Sequence, residues 1–342
     1  MADDTAYIQG LIDANHPIPV PGAGRAAEFV YPAVWLEPRR HTITRRLLGM
    51  GSCRIASEGR ATIEQTDPTA DILVFDNGYD VSVGGITFLG GRTAIRFGNN
   101  NVNSATLNVG DCHFQKTNGP AVIVRPNQPG PPNMSSQVTF DRCRWVDCKQ
   151  ALVSHADSAL VRDSWLQWGH DPSLRDVAAI ECRRGAMTLT NIVGVPEFSG
   201  PQFSRGCRWI DHYGTRLTVD ASRFGGEYAG LPCINQFGKP DVGSPWQGPS
   251  IVLRASQLSS GHTSDPGCGV VVLRGGLFSV MSVDDGCTGV LPGQPLVRDL
   301  DGTSERLYRS LQHKERIQIG LGANVFWPVI PAVPPWMGPL SG

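Results

Sequence analysis

Arg125, His155, Glu181, Arg183, Asp211 and Tyr213 are residue types that hold anions or move protons, and each closes or lies near the end of a short segment of alternating apolar residues. The segments are TAIRFG (93–98), AVIVR (121–125), ALVSH (151–155), AIECR (179–183), WIDHY (209–213), CINQF (233–237) and VVLR (271–274). In an extended chain successive side chains point to opposite faces. If Ile95, Val122, Leu152, Ile180, Ile210, Ile234 and Val271 face inward, two outward columns follow. One reads Arg96, Ile123, Val153, Glu181, Asp211, Asn235, Val272; the other reads Gly98, Arg125, His155, Arg183, Tyr213, Phe237, Arg274. Guanidinium groups recognise carboxylate or sulfate bidentately, and Tyr213 and Phe237 offer flat faces. His155, His212 and Tyr213 are candidate acids and bases. Glu181 and Asp211, adjacent in one column, could instead serve as a carboxylate pair or hold Ca²⁺. The bland alternative is a ladder of cross-strand salt bridges.

Such columns require strands stacked at a fixed interval, and a second set of segments supplies the interval. VSVGGITF (81–88), LNVGDCHF (107–114), VTFDRCRW (138–145), LVRDSWLQW (160–168, shifted by a residue), MTLTNIVG (187–194), LTVDASRF (217–224), IVLRASQL (251–258) and FSVMSVDD (278–285) share one frame. It runs apolar, any, apolar, two residues, small or apolar, any, usually apolar. Its sixth position is Ile86, Cys112, Cys143, Ser164, Ile192, Ser222, Ser256 and Val283, recurring every 21 to 34 residues. A β-sandwich would also alternate, but it has no reason to return one frame at a coil-like period. The expectation is an all-β, right-handed parallel β-helix of about eight coils occupying residues 1–325. Residues 3–14 should form an N-terminal capping helix with an acidic N-cap and Tyr7, Ile8, Leu11 and Ile12 on one side. The Pro-rich stretch 326–342 should run as an extended tail.

Composition agrees: 40 Gly, 26 Pro and only 18 % charged residues in 342 favour short strands and turns over amphipathic helices. A formal net charge of −1 provides no global field for nucleic acid or an anionic membrane, so neither is an expected partner. No apolar run approaches the roughly 18 residues of a membrane helix. The nine cysteines lack a Cys-x-x-Cys pair, and several fall at inward frame positions. Buried free thiols are expected, with one or two disulfides as the alternative.

DDTAYIQGLIDA (3–14), IPVPGAG (18–24) and LLGMGSCRI (47–55), followed by the repeats, resemble the pectate-lyase-like superfamily of parallel β-helices. That superfamily includes polysaccharide lyases, polygalacturonase-type glycosidases and phage tailspikes. The resemblance spans most of the chain and implies the fold strongly and the chemistry weakly. Paired-Asp and Gly-His-Gly motifs of the hydrolases are not found, so no catalytic residue is carried over.

The leading functional expectation is a lyase acting by β-elimination on a uronic-acid-containing glycan. Arg125 or Arg183 would neutralise the carboxylate, and His155, His212 or Tyr213 would supply base and acid. Arg96, Asn235, Phe237 and Lys239 would help bind substrate. The alternatives are a glycoside hydrolase using Glu181 and Asp211, and a non-catalytic glycan-binding or tailspike-like solenoid. No cofactor is expected, with Ca²⁺ as the exception to test. The chain should be a monomer, or a trimer if spike-like, and secreted or periplasmic. Glu227 and Tyr228 could overhang the groove, whereas His170-Asp171 reads as a turn and Asp284-Asp285 as a turn in preference to a cation site.

Overall fold

The computed structural model describes residues 3–15, 18–19, 29–30, 33–98, 105–125, 136–168, 177–196, 208–225, 233–237, 250–258, 271–274, 280–283, 297–299, 305–307, 317–318 and 324–326. Within these the chain is a parallel β-solenoid of three strand ladders, one per face. The first ladder registers Leu47, Leu73, Ile95, Val122, Leu152, Ile180, Ile210, Ile234 and Val271 in succession. The second registers Cys53, Val81, Leu107, Val138, Ala159, Met187, Leu217, Ile251 and Met281. The third runs Ile63, Phe88, Phe114, Trp145, Leu166, Gly194, Phe224 and Leu258. The eight-residue frame is therefore the second and third strands of each coil with the bend between them. One alignment is corrected: Met281 pairs with Ile251 and Val283 with Leu253, so the last frame starts at Met281 rather than Phe278. Adjacent apolar Val280 and Met281 satisfy either parity, and only pairing decides between them.

The bend has a recurring physical basis. The fifth frame position is left-handed in coil after coil: Gly85 (φ 67°), Asp111 (53°), Arg142 (50°), Asp163 (51°), Asn191 (53°), Ala221 (47°) and Ala255 (42°). Each non-glycine there costs about 1 kcal/mol. A Cβ on Gly85 would lie 2.3 Å from the Ser57 carbonyl oxygen, so this bend requires glycine. The next residue points inward and ties adjacent coils together. Ser164 Oγ accepts from Cys143 N–H at 3.0 Å and donates to Arg162 O at 2.6 Å. Ser222 and Ser256 repeat the pattern, accepting from Ile192 and Ser222 N–H at 3.0 and 3.1 Å. Small polar residues persist in this buried column because they satisfy backbone groups that the bend frees.

Between the ladders the core is continuous, with Phe88 stacked on Phe114 (5.5 Å) and Phe114 on Trp145 (5.3 Å). The helix Thr5–Asp13 closes the first turn with buried Ile8 and Ile12. Gln9 receives Leu48 N–H at 2.8 Å and donates to Leu48 O at 3.0 Å, pairing the ladder's exposed edge. Two details depart from expectation. Tyr7 is 44 % exposed, beside Arg39 and His41 rather than in the core. Asp4 holds the N-cap position without a side-chain cap bond, because its carboxylate is taken by Arg39 at 3.0 and 3.1 Å.

Cys53, Cys112, Cys143, Cys148, Cys182 and Cys233 are free and buried. Cys207, Cys268 and Cys287, and the tail beyond Phe326, lie outside the described residues. No described helix is long and apolar enough to cross a membrane.

Candidate functional site

The outward columns of the first ladder form as the alternation requires. Arg96, Ile123, Val153, Glu181, Asp211, Asn235 and Val272 are register partners in sequence. The second column continues past the strand ends: the backbone N–H groups of Arg125, His155, Arg183 and Tyr213 each bond the preceding coil, at Phe97, Val124, Ser154 and Cys182. The described members of the expected patch thus share one face. Lys239, Glu227, Tyr228, His170-Asp171 and Asp284-Asp285 lie outside the described residues.

The aromatic residues do more than line the face. Tyr213 and Phe237 stack with centroids 4.1 Å apart and planes at 5°, and the Arg183 guanidinium lies 4.7 Å over the Tyr213 ring. Three adjacent coils thereby stack cation on ring on ring. Such contacts fix side chains that would otherwise move freely. Arg183 also pairs with Glu181. Arg183 keeps 39 % of its side chain exposed, against 14 % for Glu181.

The carboxylates are held differently. Asp211 is 3 % exposed, receives Arg208 at 2.7 Å and accepts from Asn235 Nδ2 at 2.9 Å. Burial, reinforced by Asp211 repulsion, pushes the Glu181 carboxyl above its ordinary range, while Arg183 and a 3.3 Å hydrogen bond from Gln150 pull it down. Burial also pushes the Tyr213 phenol up, with the Asp211 charge acting in the same direction. An arginine already stands against each carboxylate, so a Ca²⁺ at this pair would have to displace both. Among the described residues no group of three or more His, Cys, Asp or Glu side chains is arranged to hold a metal.

His212 is corrected. The alternation that puts Ile210 inside puts His212 inside too, and it is fully buried in register with Cys182 and Gln236. Gln236 Nε2 donates to the His212 and Phe237 carbonyls at 3.0 and 2.9 Å, leaving its Oε1 to accept from Nδ1–H at 2.7 Å. That assigns the Nδ1–H tautomer. Desolvation lowers the imidazole pKa to about 4. The ring braces the underside of the patch and cannot reach a ligand outside it.

Arg96 also departs from a free binding role, because Asp71 and Asp76 hold it at 3.5 and 3.4 Å. Arg208 and Gln150, which support the carboxylates, were missed. Both begin strands in phase with inward Leu152 and Ile210, so alternation leaves them out of the outward columns.

Two hollows lie elsewhere. One of about 990 Å³ flanks the capping helix, beside Gln9, Arg45, Arg46, Asp71 and Arg92. A groove of about 330 Å³ runs along the outward face of the second ladder.

Fold and face together define a parallel β-solenoid with a basic and aromatic patch over braced carboxylates. No protein-family profile matches the chain, and no curated protein does. Among solved structures it is similar to a mutant tailspike protein of E. coli bacteriophage HK620 in complex with a pentasaccharide, at 13 % identity and a TM-score of 0.37. The alignment covers 95 % of this chain and 61 % of that one, so the chain spans less than two thirds of the tailspike's length.

Proposed function

We propose that this solenoid is a pectate-lyase-like enzyme that cleaves an acidic glycan by β-elimination on its first-ladder face. The carrying observation is the Arg183–Tyr213–Phe237 stack, which holds a cation and the edges of two aromatic rings in fixed positions while the neighbouring carboxylates are covered. Arg183 meets the uronate carboxylate and stabilises the charge that develops when the adjacent C–H is deprotonated. His155, the next residue in the same column, takes that proton. The electron pair forms the new C=C bond, the glycosidic C–O bond breaks, and the leaving oxygen takes the proton of the Tyr213 phenol, which burial keeps protonated. Phe237 and Arg125 extend the binding surface, and Asn235 and Arg208 hold Asp211 beneath it. An extracytoplasmic location follows from a polymeric substrate of this kind.

A hydrolase using Glu181 and Asp211 is the second reading, favoured by the raised Glu181 pKa, which suits a general acid. It is disfavoured by Asp211, whose side chain is 4 % exposed and occupied by Arg208. Incubating the chain with polygalacturonate, alginate and hyaluronate, and reading product mass with ultraviolet absorbance, separates the two. Elimination leaves a conjugated product with no water added, and Arg183→Ala and His155→Ala abolish it. A product heavier by one water establishes the hydrolase. Failure to cleave any of the three rejects cleavage of these polymers.

A further inference from the structure

The second-ladder groove combines two glycines with a file of polar side chains along neighbouring coils. One row reads Arg54, Ser82, Asn108, Thr139 and the other Ala56, Gly84, Gly110, Asp141, Arg162, each in register from coil to coil. At about 4.8 Å per coil, the second row spans about 19 Å. Its two glycines are unusual. Neither is left-handed, a Cβ on Gly84 would meet only the Gly110 carbonyl oxygen at 3.7 Å, and a Cβ on Gly110 would meet nothing within 4 Å. Glycine in a strand interior costs about 0.5–1 kcal/mol relative to alanine, so these positions sacrifice stability for empty space.

The polar row is equally unoccupied. Among the described residues Ser82, Asn108 and Thr139 make no side-chain hydrogen bond, and Arg54 makes no ion pair. Asp141 is neutralised by Arg142 at 2.6 Å and Arg162 at 3.0 Å. At the N-terminal end the glycine row continues through Ala56 to Trp35, which is 51 % exposed, with Arg54 5.9 Å over its ring. An aromatic platform, a furrow without side chains and a file of hydroxyl and amide groups at one-coil spacing match a linear chain of hydroxyl-rich rings.

We infer that the second-ladder groove is a binding site for an uncharged linear oligosaccharide, separate from the first-ladder face, with Trp35 stacking a terminal ring and Ser82, Asn108 and Thr139 bonding its hydroxyls. The neutral side chains of Ser82, Asn108 and Thr139 carry the recognition, while the flanking charges are already engaged, Arg142 and Arg162 on Asp141 and Arg54 over the Trp35 ring, which favours uncharged sugars over the acidic glycan proposed for the other face.

Titrating the full chain calorimetrically with cellohexaose, xylohexaose, mannohexaose and chitohexaose tests this. At least one should bind, and Gly110→Val, which fills the furrow, should weaken it tenfold or more with a melting temperature no lower than that of the wild type. Trp35→Ala should weaken it similarly, while Arg183→Ala should leave it unchanged. Binding by none of the four, or binding that Gly110→Val leaves intact, overturns the inference. Loss with Arg183→Ala instead assigns the sugar to the first face and also overturns it. Cleavage of a polyuronide is read separately, so either site can fail without the other.

Discussion

The two outward faces of this solenoid use the same backbone in opposite ways. On the first ladder nearly every polar group already has a partner: Asp211 with Arg208 and Asn235, Glu181 with Arg183 and Gln150, His212 with Gln236 below. On the second, Ser82, Asn108 and Thr139 face outward without partners over glycines. A partnered face holds reactive groups in place before substrate arrives, as chemistry requires. An open row of neutral donors and acceptors suits recognition, because a ligand supplies the bonds. The contrast makes stability and function separable by face.

The largest effect should come from breaking the braced face. Arg208→Ala leaves Asp211 buried without its cation, and losing one partner of a buried pair costs about 3–5 kcal/mol. Urea denaturation should show that loss, with Asp211→Asn in the same chain recovering much of it. Arg54→Ala, on the open face, should change stability by less than about 0.5 kcal/mol. Equal losses would erase the distinction between the faces.

A smaller effect belongs to the layer under the patch. His212 has a folded pKa of about 4 against an ordinary value of 6.5. Because the fold favours the neutral ring, its contribution is fully present above pH 6.5 and is lost as pH falls towards 4. At about 1.4 kcal/mol per unit the loss is about 3 kcal/mol. The difference between wild type and His212→Gln in denaturation midpoints from pH 7 to 4 should show it. A variant with the wild-type slope would place the ring in contact with water.

The smallest effect sharpens the other side. Gly110→Ala should raise stability by about 0.5–1 kcal/mol, read as a higher melting temperature, because the Cβ enters open space and the unfolded chain loses freedom. An unchanged or lower value would mean that glycine serves the backbone there rather than the groove.

How much was legible follows from which interactions are periodic. Alternation exposed the inward columns, the outward order from Arg96 to Asn235 and the frame of the second and third ladders, because strand geometry repeats every two residues. It also contained the correct placement of His212, since a residue between outward Asp211 and Tyr213 must face inward. The left-handed bend was hidden, because Asp111, Arg142, Asn191 and Ala221 share a conformation but no chemistry. The partners of the carboxylates were hidden for another reason: Arg208 and Gln150 act from strand starts in phase with inward residues.

The repeat by itself determined a parallel solenoid and the two columns of its first face, because burying a period-2 pattern coil upon coil leaves few other arrangements. The tertiary structure decided which of those outward residues remain available. Adjacent coils come from segments tens of residues apart, so Arg183 over Tyr213, Arg208 on Asp211 and the empty furrow at Gly84 and Gly110 exist only once the coils are stacked.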